Sequence, residues 1–147
     1  MMKYFFVLMC VVVQCGISQM TKKPAESSIV VQINGIKVQR GQVLLSLFNA
    51  EEGFPTHPEK AFRWGRAKVT SSSIIISFNG LPPGKYAIAA VHDENSNEVM
   101  DRNWFGFPDE PYGVSNNVTG TFSPPTFDEA KFTVSEKKDT IKIEMKP

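Results

Sequence analysis

Residues 73–92 read SIIISFNGLPPGKYAIAAVH, two apolar runs separated by Asn79-Gly80 and then Pro82-Pro83-Gly84. The junction is turn chemistry: Gly and Asn accept backbone that other residues resist, and Pro presets φ while removing a donor. Each flanking run is short and rich in β-branched and aromatic residues, as strands are. The chain therefore reverses sharply between two strands, at 73–79 and 84–92.

Outward from this point the same pattern recurs. At 139–146, Ile141, Ile143 and Met145 alternate with Thr140, Lys142, Glu144 and Lys146, which describes a sheet with one buried and one wet face. The segment 130–136, with Phe132 and Val134 inward, is expected to pair with it as a hairpin across the polar Lys137–Asp139 connection. Further strands are expected at 28–38, 42–49 and 66–70. About seven short strands with no helical period predict an all-β, single-domain Greek-key β-sandwich over 28–147, with a barrel as the alternative. Two long connections, Glu51–Gly65 and Asp93–Glu129, are broken by prolines, among them Pro55, Pro58, Pro108 and Pro111. Long irregular connections tend to carry function, which places the candidate site in the stretch from Gly80 to Phe127, where a strand runs into such a connection.

The N-terminus reads differently. Lys3 precedes an apolar run from Tyr4 to Val13, with small residues at Gly16 and Ser18, so a signal peptide is expected over 1–18 and a polar leader over 19–27. The chain is expected to be exported: periplasmic, outer-membrane-associated or secreted. The apolar run is shorter than the roughly 20 residues a transmembrane helix needs, so no transmembrane segment is expected. Both cysteines, Cys10 and Cys15, fall in this segment, leaving no disulfide or thiol chemistry for the rest. Lipidation at Cys15 is a second reading, against which Gln14 stands where lipoprotein signals prefer a small residue. About 129 residues follow, enough for one domain with one core. A net charge of +1 with no basic run argues against nucleic acid or an anionic membrane surface as partner.

Asp93, Asn95, Asn97, Val99 and Asp101 occupy every second position, the order in which calcium loops present side-chain oxygens and one backbone carbonyl. In an extended strand, side chains two apart lie about 6–7 Å from each other. Calcium draws its oxygens to about 2.3–2.6 Å, so binding requires the loop to curl. It is not an EF-hand, because Glu98 stands at the sixth position where glycine makes the turn and Trp104 at the twelfth where a bidentate Glu closes the shell. Asp109, Glu110, Asn116 or Asn117 are candidates to complete the coordination. The competing reading is a loop of Asx-turns in which these side chains cap their own backbone. Calcium is the one cofactor these residues suggest.

Trp104, Phe105, Phe107 and Tyr112, with Phe122 and Phe127, either line a groove for an extracellular polysaccharide or a peptide or protein, or pack the long connection onto the sandwich. His92 and Asn116 complete the candidate ligand-binding set. His92 shares strand parity with Tyr86, Ile88 and Ala90, which puts it at the rim of the buried face. No nucleophile-elbow serine accompanies it, so a non-enzymatic protein is expected. A hydrolase using His92 with one of Asp93, Asp101, Asp109 or Glu110 is the alternative.

The blocks LPPGKYAIAAVHDENSN, FGFP, EPYGVSNN and SPPTFDEAKF, in this order, resemble the bacterial domain of unknown function family 2141, over roughly Val30 to the C-terminus. The resemblance implies an exported single-domain protein with no assigned activity. The family pattern has a glycine after the second Asn of the acidic loop, and Glu98 departs from it, which weakens the calcium reading. FNGLPPGKYAI is also similar to transthyretin-like and carboxypeptidase-regulatory β-sandwiches, in which an apolar strand, a Pro-Gly turn and a Tyr-bearing strand pair up.

Overall fold

Ile29, Val31 and Ile33 alternate with Val30, Gln32 and Asn34, and this period of two makes β1 (Ser27–Asn34) a strand with one face fully buried. Burying each such side chain stabilises the fold by about 1.5–3 kcal/mol. In the computed structural model, which describes residues 27–120, 123–135 and 138–147, β1 is the middle of a three-stranded sheet. The expected signal peptide with Cys10 and Cys15, almost all of the polar leader, Phe122 and Lys137 lie outside the described residues. On one side β1 pairs antiparallel with β4 (Ile74–Leu81), Val31 facing Ile76. On the other it pairs parallel with β8 (Asp139–Glu144), Val31 facing Ile141.

The second sheet runs β3 (Arg63–Lys68), β2 (Gln42–Phe48), β5 (Gly84–Asp93), β6 (Tyr112–Val114), with β7 (Phe132–Val134) also paired to β5. Val43, Leu45 and Leu47 of β2 and Tyr86, Ile88 and Ala90 of β5 face β1 and β4, and together they form the main core. The fold is thus an all-β sandwich. Tyr112 and Lys146 exchange backbone hydrogen bonds of 2.9 and 2.8 Å, stitching the two sheets together at one edge without closing a barrel. Gly113 permits this approach, because a Cβ there would sit 2.6 Å from Cγ2 of Ile143. No helix among the described residues is long and apolar enough to cross a membrane.

Two expected pairings are corrected. The strands flanking Pro82-Pro83 do not form a hairpin: β4 belongs to the smaller sheet and β5 to the larger, so the turn carries the chain across the core. Neither proline can donate to a ladder, and Leu81, wholly buried, turns the strand inward instead. Likewise β7 and β8 are not partners. β7 sets Phe132 opposite Tyr86 and Val134 opposite Gly84, whereas β8 lies beside β1. β8 covers the edge of β1 that β4 leaves open, with Ile141 and Ile143 beside Val31 and Ile33.

The outer edge of β5 is shared. β7 covers residues 84–86 and β6 covers 89–91. Between them the amide of Ile88 donates to Ser115 Oγ at 2.9 Å, and that hydroxyl donates to the carbonyl of Ala130 at 2.6 Å. A side chain completes the ladder where no strand reaches. Ala130 ends the short helix α1 (Phe127–Ala130), which is fixed by a Thr126–Glu129 capping box. Phe54 packs edge-to-face on Phe48 at a centroid separation of 5.4 Å and on Phe127 at 6.0 Å, making a small second core on the outer face of the larger sheet.

Ser115→Ala leaves a buried amide and a buried carbonyl unpaired. It is expected to cost about 2–3 kcal/mol, seen as a lower urea midpoint with an unchanged m-value.

Candidate functional site

β5 ends in Asp93, whose fully buried carboxylate organises the loop that follows. Oδ1 accepts from the amide of Asn97 at 3.1 Å, and Oδ2 accepts from the amide of Glu98 at 2.9 Å and from Gln42 Nε2 at 2.8 Å. Ser96 and Glu98 adopt positive φ, 61° and 63°, which curls the segment without the missing glycine. Gly41 makes room for the root of the loop, since a Cβ there would lie 2.1 Å from the carbonyl oxygen of Asp93.

The curl brings together the alternate residues singled out in the sequence. Asn95 Nδ2 donates to Asp101 Oδ2 at 2.6 Å and Asn97 Nδ2 to Asp101 Oδ1 at 3.1 Å. Asn95 Oδ1 accepts from the amide of Asn97, and Asn97 Oδ1 from that of Val99. The side chain of Val99 points to solvent. Glu110 reaches in from the far end of the connection and accepts from the amides of Glu94 (3.0 Å) and Asp101 (3.2 Å), clamping both ends of the loop. In this arrangement the polar side chains satisfy one another and the backbone, as Asx-turns do. Among the described residues no three His, Cys, Asp or Glu side chains are grouped to hold a metal ion.

The pKa values of the two buried carboxyls are shifted in opposite directions. Burial pushes the Asp93 pKa up, but the hydrogen bonds from Gln42 and from the amides of Glu98, Asn97 and Ser96 outweigh it and hold the group below its usual range. Burial also pushes Glu110 up; the amides of Asp101 and Glu94 oppose this, the charges of Asp101 and Asp93 reinforce it, and the net shift is upward.

The other candidates are dispersed. His92 is buried on the inward face, its Nε2 2.9 Å from the carbonyl oxygen of Arg40. Asn116 Nδ2 donates to the carbonyls of Glu129 and Lys131, bracing the end of α1. Trp104 and Phe105 are 96% and 82% exposed at a loop tip. Phe107 and Tyr112 of the set line a cavity.

That cavity is a cleft of about 950 Å³ on the outer face of the larger sheet. Its floor is two cross-strand rows. Trp64, Ser46, Ala89 and Val114 form the first, and Arg66, Leu44, Val91 and Tyr112 the second. The Phe54–Phe127 cluster bounds one end and the acidic loop the other. Walls come from Pro55 and Thr56, from Met100, Phe107 and Pro108, and from Pro124 and Pro125. Trp64 Nε1 donates to the carbonyl of Pro58 at 2.9 Å, which fixes the indole with one face open. Arg66 and Glu98 pair at 2.8 Å, tying the acidic loop to β3. Both ends of this pair are exposed, so it positions the loop more than it stabilises it. The sequence reading missed Trp64, Arg66, Leu44 and Ser46. The available signal was apolar residues at the outward positions of β2 and β5, Leu44, Ala89 and Val91, where a wet face would be polar.

Fold and cleft together define a β-sandwich that carries a pocket on the outer face of its larger sheet. Residues 31–142 match the model of a family described as an uncharacterised protein conserved in bacteria (DUF2141), and the chain belongs to that family. No match was found among curated proteins or solved structures.

Asp93→Ala removes the acceptor for two amides and Gln42, and is expected to cost about 2–3 kcal/mol. The Asp93 pKa is depressed in the folded state, so its contribution is present above the unfolded value of about 3.9 and lost as pH falls below it. Urea midpoints measured across this range should fall in the parent and fall less steeply in Asp93→Asn.

Proposed function

We propose that this is an exported, non-enzymatic binding domain that lays an elongated ligand with an apolar body across β3, β2, β5 and β6. The observation that carries this is the cleft: its floor of Leu44, Ala89, Val91 and Val114 is aliphatic, and Trp64, Phe107 and Tyr112 rise at its sides. Four strands spaced about 4.8 Å apart make a floor about 14 Å wide, in the range of pockets that enclose small ligands or short chain segments. An apolar segment of a peptide suits this floor better than a polysaccharide does. Among the described floor residues Ser46 and Tyr112 alone carry hydroxyls, the other polar groups such as Thr56, Glu59 and Arg102 lying in the walls, whereas a sugar's hydroxyls each require a partner once desolvated. The sequestered His92 supports a binding role over hydrolysis. The basis for export is the apolar run Tyr4–Val13 behind Lys3. The acidic loop serves as a preformed wall, held by its own hydrogen bonds.

A second reading adds calcium to that wall, favoured by the convergence of Asp93, Asn95, Asn97 and Asp101 on one curl with Glu110 beside it. The ion would require Asn95 and Asn97 to turn their amide oxygens toward Asp101 in place of their donors.

Two measurements test these readings. Ser46→Trp fills the middle of the floor and should weaken binding of the apolar fluorophore N-phenyl-1-naphthylamine by about tenfold, or about 1.4 kcal/mol, at an unchanged melting midpoint. Undiminished binding would remove the cleft from the proposal. For calcium, an ion at tenfold its dissociation constant adds ~1.4 kcal/mol, a rise of a few degrees in midpoint that chelator reverses and Asp93→Ala with Asp101→Ala abolishes. Identical melts in calcium and chelator would leave the loop self-held.

A further inference from the structure

The chain between Asp101 and Asp109 doubles back on itself. The amide of Asp109 donates to the carbonyl of Asp101, and that of Asn103 donates to the carbonyl of Phe107, both at 2.9 Å. At the tip the amide of Gly106 donates to the carbonyl of Asn103 at 2.9 Å, closing a turn with Trp104 and Phe105 at its two central positions. Asn103 Oδ1 accepts from the amides of Phe105 (3.0 Å) and Phe107 (3.1 Å), and Arg102 Nη1 donates to the carbonyl of Gly106 at 3.0 Å. This small hairpin therefore holds its own shape. It nevertheless presents Trp104, Phe105 and Phe107 to solvent at 96%, 82% and 67% exposure. A side chain that packs a loop is covered by the body it packs against, and these three are not.

We propose that this hairpin is a membrane-docking tip, which lodges Trp104, Phe105 and Phe107 in the headgroup and upper acyl region of a lipid bilayer. Three features select a bilayer over other occupants. The backbone amides of Asn103, Phe105, Gly106 and Phe107 are already paired within the hairpin, which lowers the cost of moving it out of water, while the amide of Trp104 and the carbonyls of Trp104 and Phe105 would keep their partners in the hydrated headgroup layer. Trp and Phe are amphipathic or apolar rings suited to the interface, and Arg102 at the neck is placed to meet lipid phosphate. The tip also offers only three exposed aromatic side chains, whereas a standard protein interface engages about 20–30 residues a side. A fluid bilayer closes around such a tip where a folded partner would need a matching pit. Phe107 is shared with the wall of the ligand cleft, whereas Trp104 and Phe105, which carry the proposal, lie outside its lining.

The chain has two tryptophans, so Trp64→Phe leaves Trp104 as the sole reporter at the tip. In that background the full chain is titrated with phosphatidylcholine vesicles and with phosphatidylethanolamine–phosphatidylglycerol vesicles, reading Trp104 emission. Emission is used because the Tyr4–Val13 run can carry the chain onto vesicles by itself. The expected result is a blue shift, quenched by brominated phosphatidylcholine, that needs about tenfold more lipid in Phe105→Ser. Unshifted Trp104 emission on vesicles that sediment the protein would overturn the proposal, as would a shift undiminished in Phe105→Ser. A blue shift that grows with protein concentration without lipid would assign the tip to a second copy of the chain instead.

Discussion

A strand in the middle of a sheet must find partners for its backbone along both edges, and β5 is the strand on which this requirement falls hardest. Its inner neighbour β2 runs alongside from Ala87 to Asp93 without interruption. Its outer edge has no single strand to cover it and is completed in three pieces by β7, the hydroxyl of Ser115 and β6. The pieces come from two segments beyond Asp93, 112–115 and 132–134, so satisfying β5 dictates the long excursion after Asp93, the return through β6 and the tight passage through α1 to β7. The irregular region is shaped by a hydrogen-bond requirement, and its loops lie where that requirement leaves them.

The cleft follows from what β5 shows on its other face. Ala87, Ala89 and Val91 are small outward side chains, and β2 adds Leu44 and Ser46 beside them. The Phe54–Phe127 cluster covers the row nearest Phe48 and stops there. Beyond it the face stays apolar but unfilled, walled by loops that β5 has already drawn to that side. The buried Asp93 at the strand's end stiffens the nearest wall, so the pocket is formed before any ligand arrives, which limits the ordering cost of binding.

Much of the sandwich was legible because its inward residues obey a period of two: Ile29-Val31-Ile33, Ile141-Ile143 and Ile74-Ile76-Phe78 announce buried faces by themselves. Pairing was less legible. A two-residue Pro-Pro link looks like a hairpin, and only the sheet membership of β4 and β5 shows that it crosses the core. β6 escaped notice because a three-residue strand interrupted by Gly113 carries no period, and its existence depends on the edge of β5 and the approach of β8. In the acidic loop, the alternate oxygens were visible in the sequence, and the structure brings four of the five side chains into one curl. That Asp93 is the buried hub was not visible, since burial is decided by Gln42 and Gly41, some fifty residues upstream. Trp64 was missed for the same reason: its importance lies in facing Ser46 and Ala89 across the sheet, a relation that sequence spacing does not encode.

The parallel pairing of β1 with β8 has a consequence for how the molecule is assembled. These strands stand 110 residues apart where Asn34 meets Glu144, and their junction is one of the two that make up the smaller sheet. A chain delivered from its N-terminus can form the β2–β3–β5 ladder early, but β1 keeps one bare edge until the final strand arrives. Closing so long a loop is slow compared with local pairing. The sandwich therefore locks only when its last segment docks, and until then half of the main core is covered from one side by β1 and β4 alone.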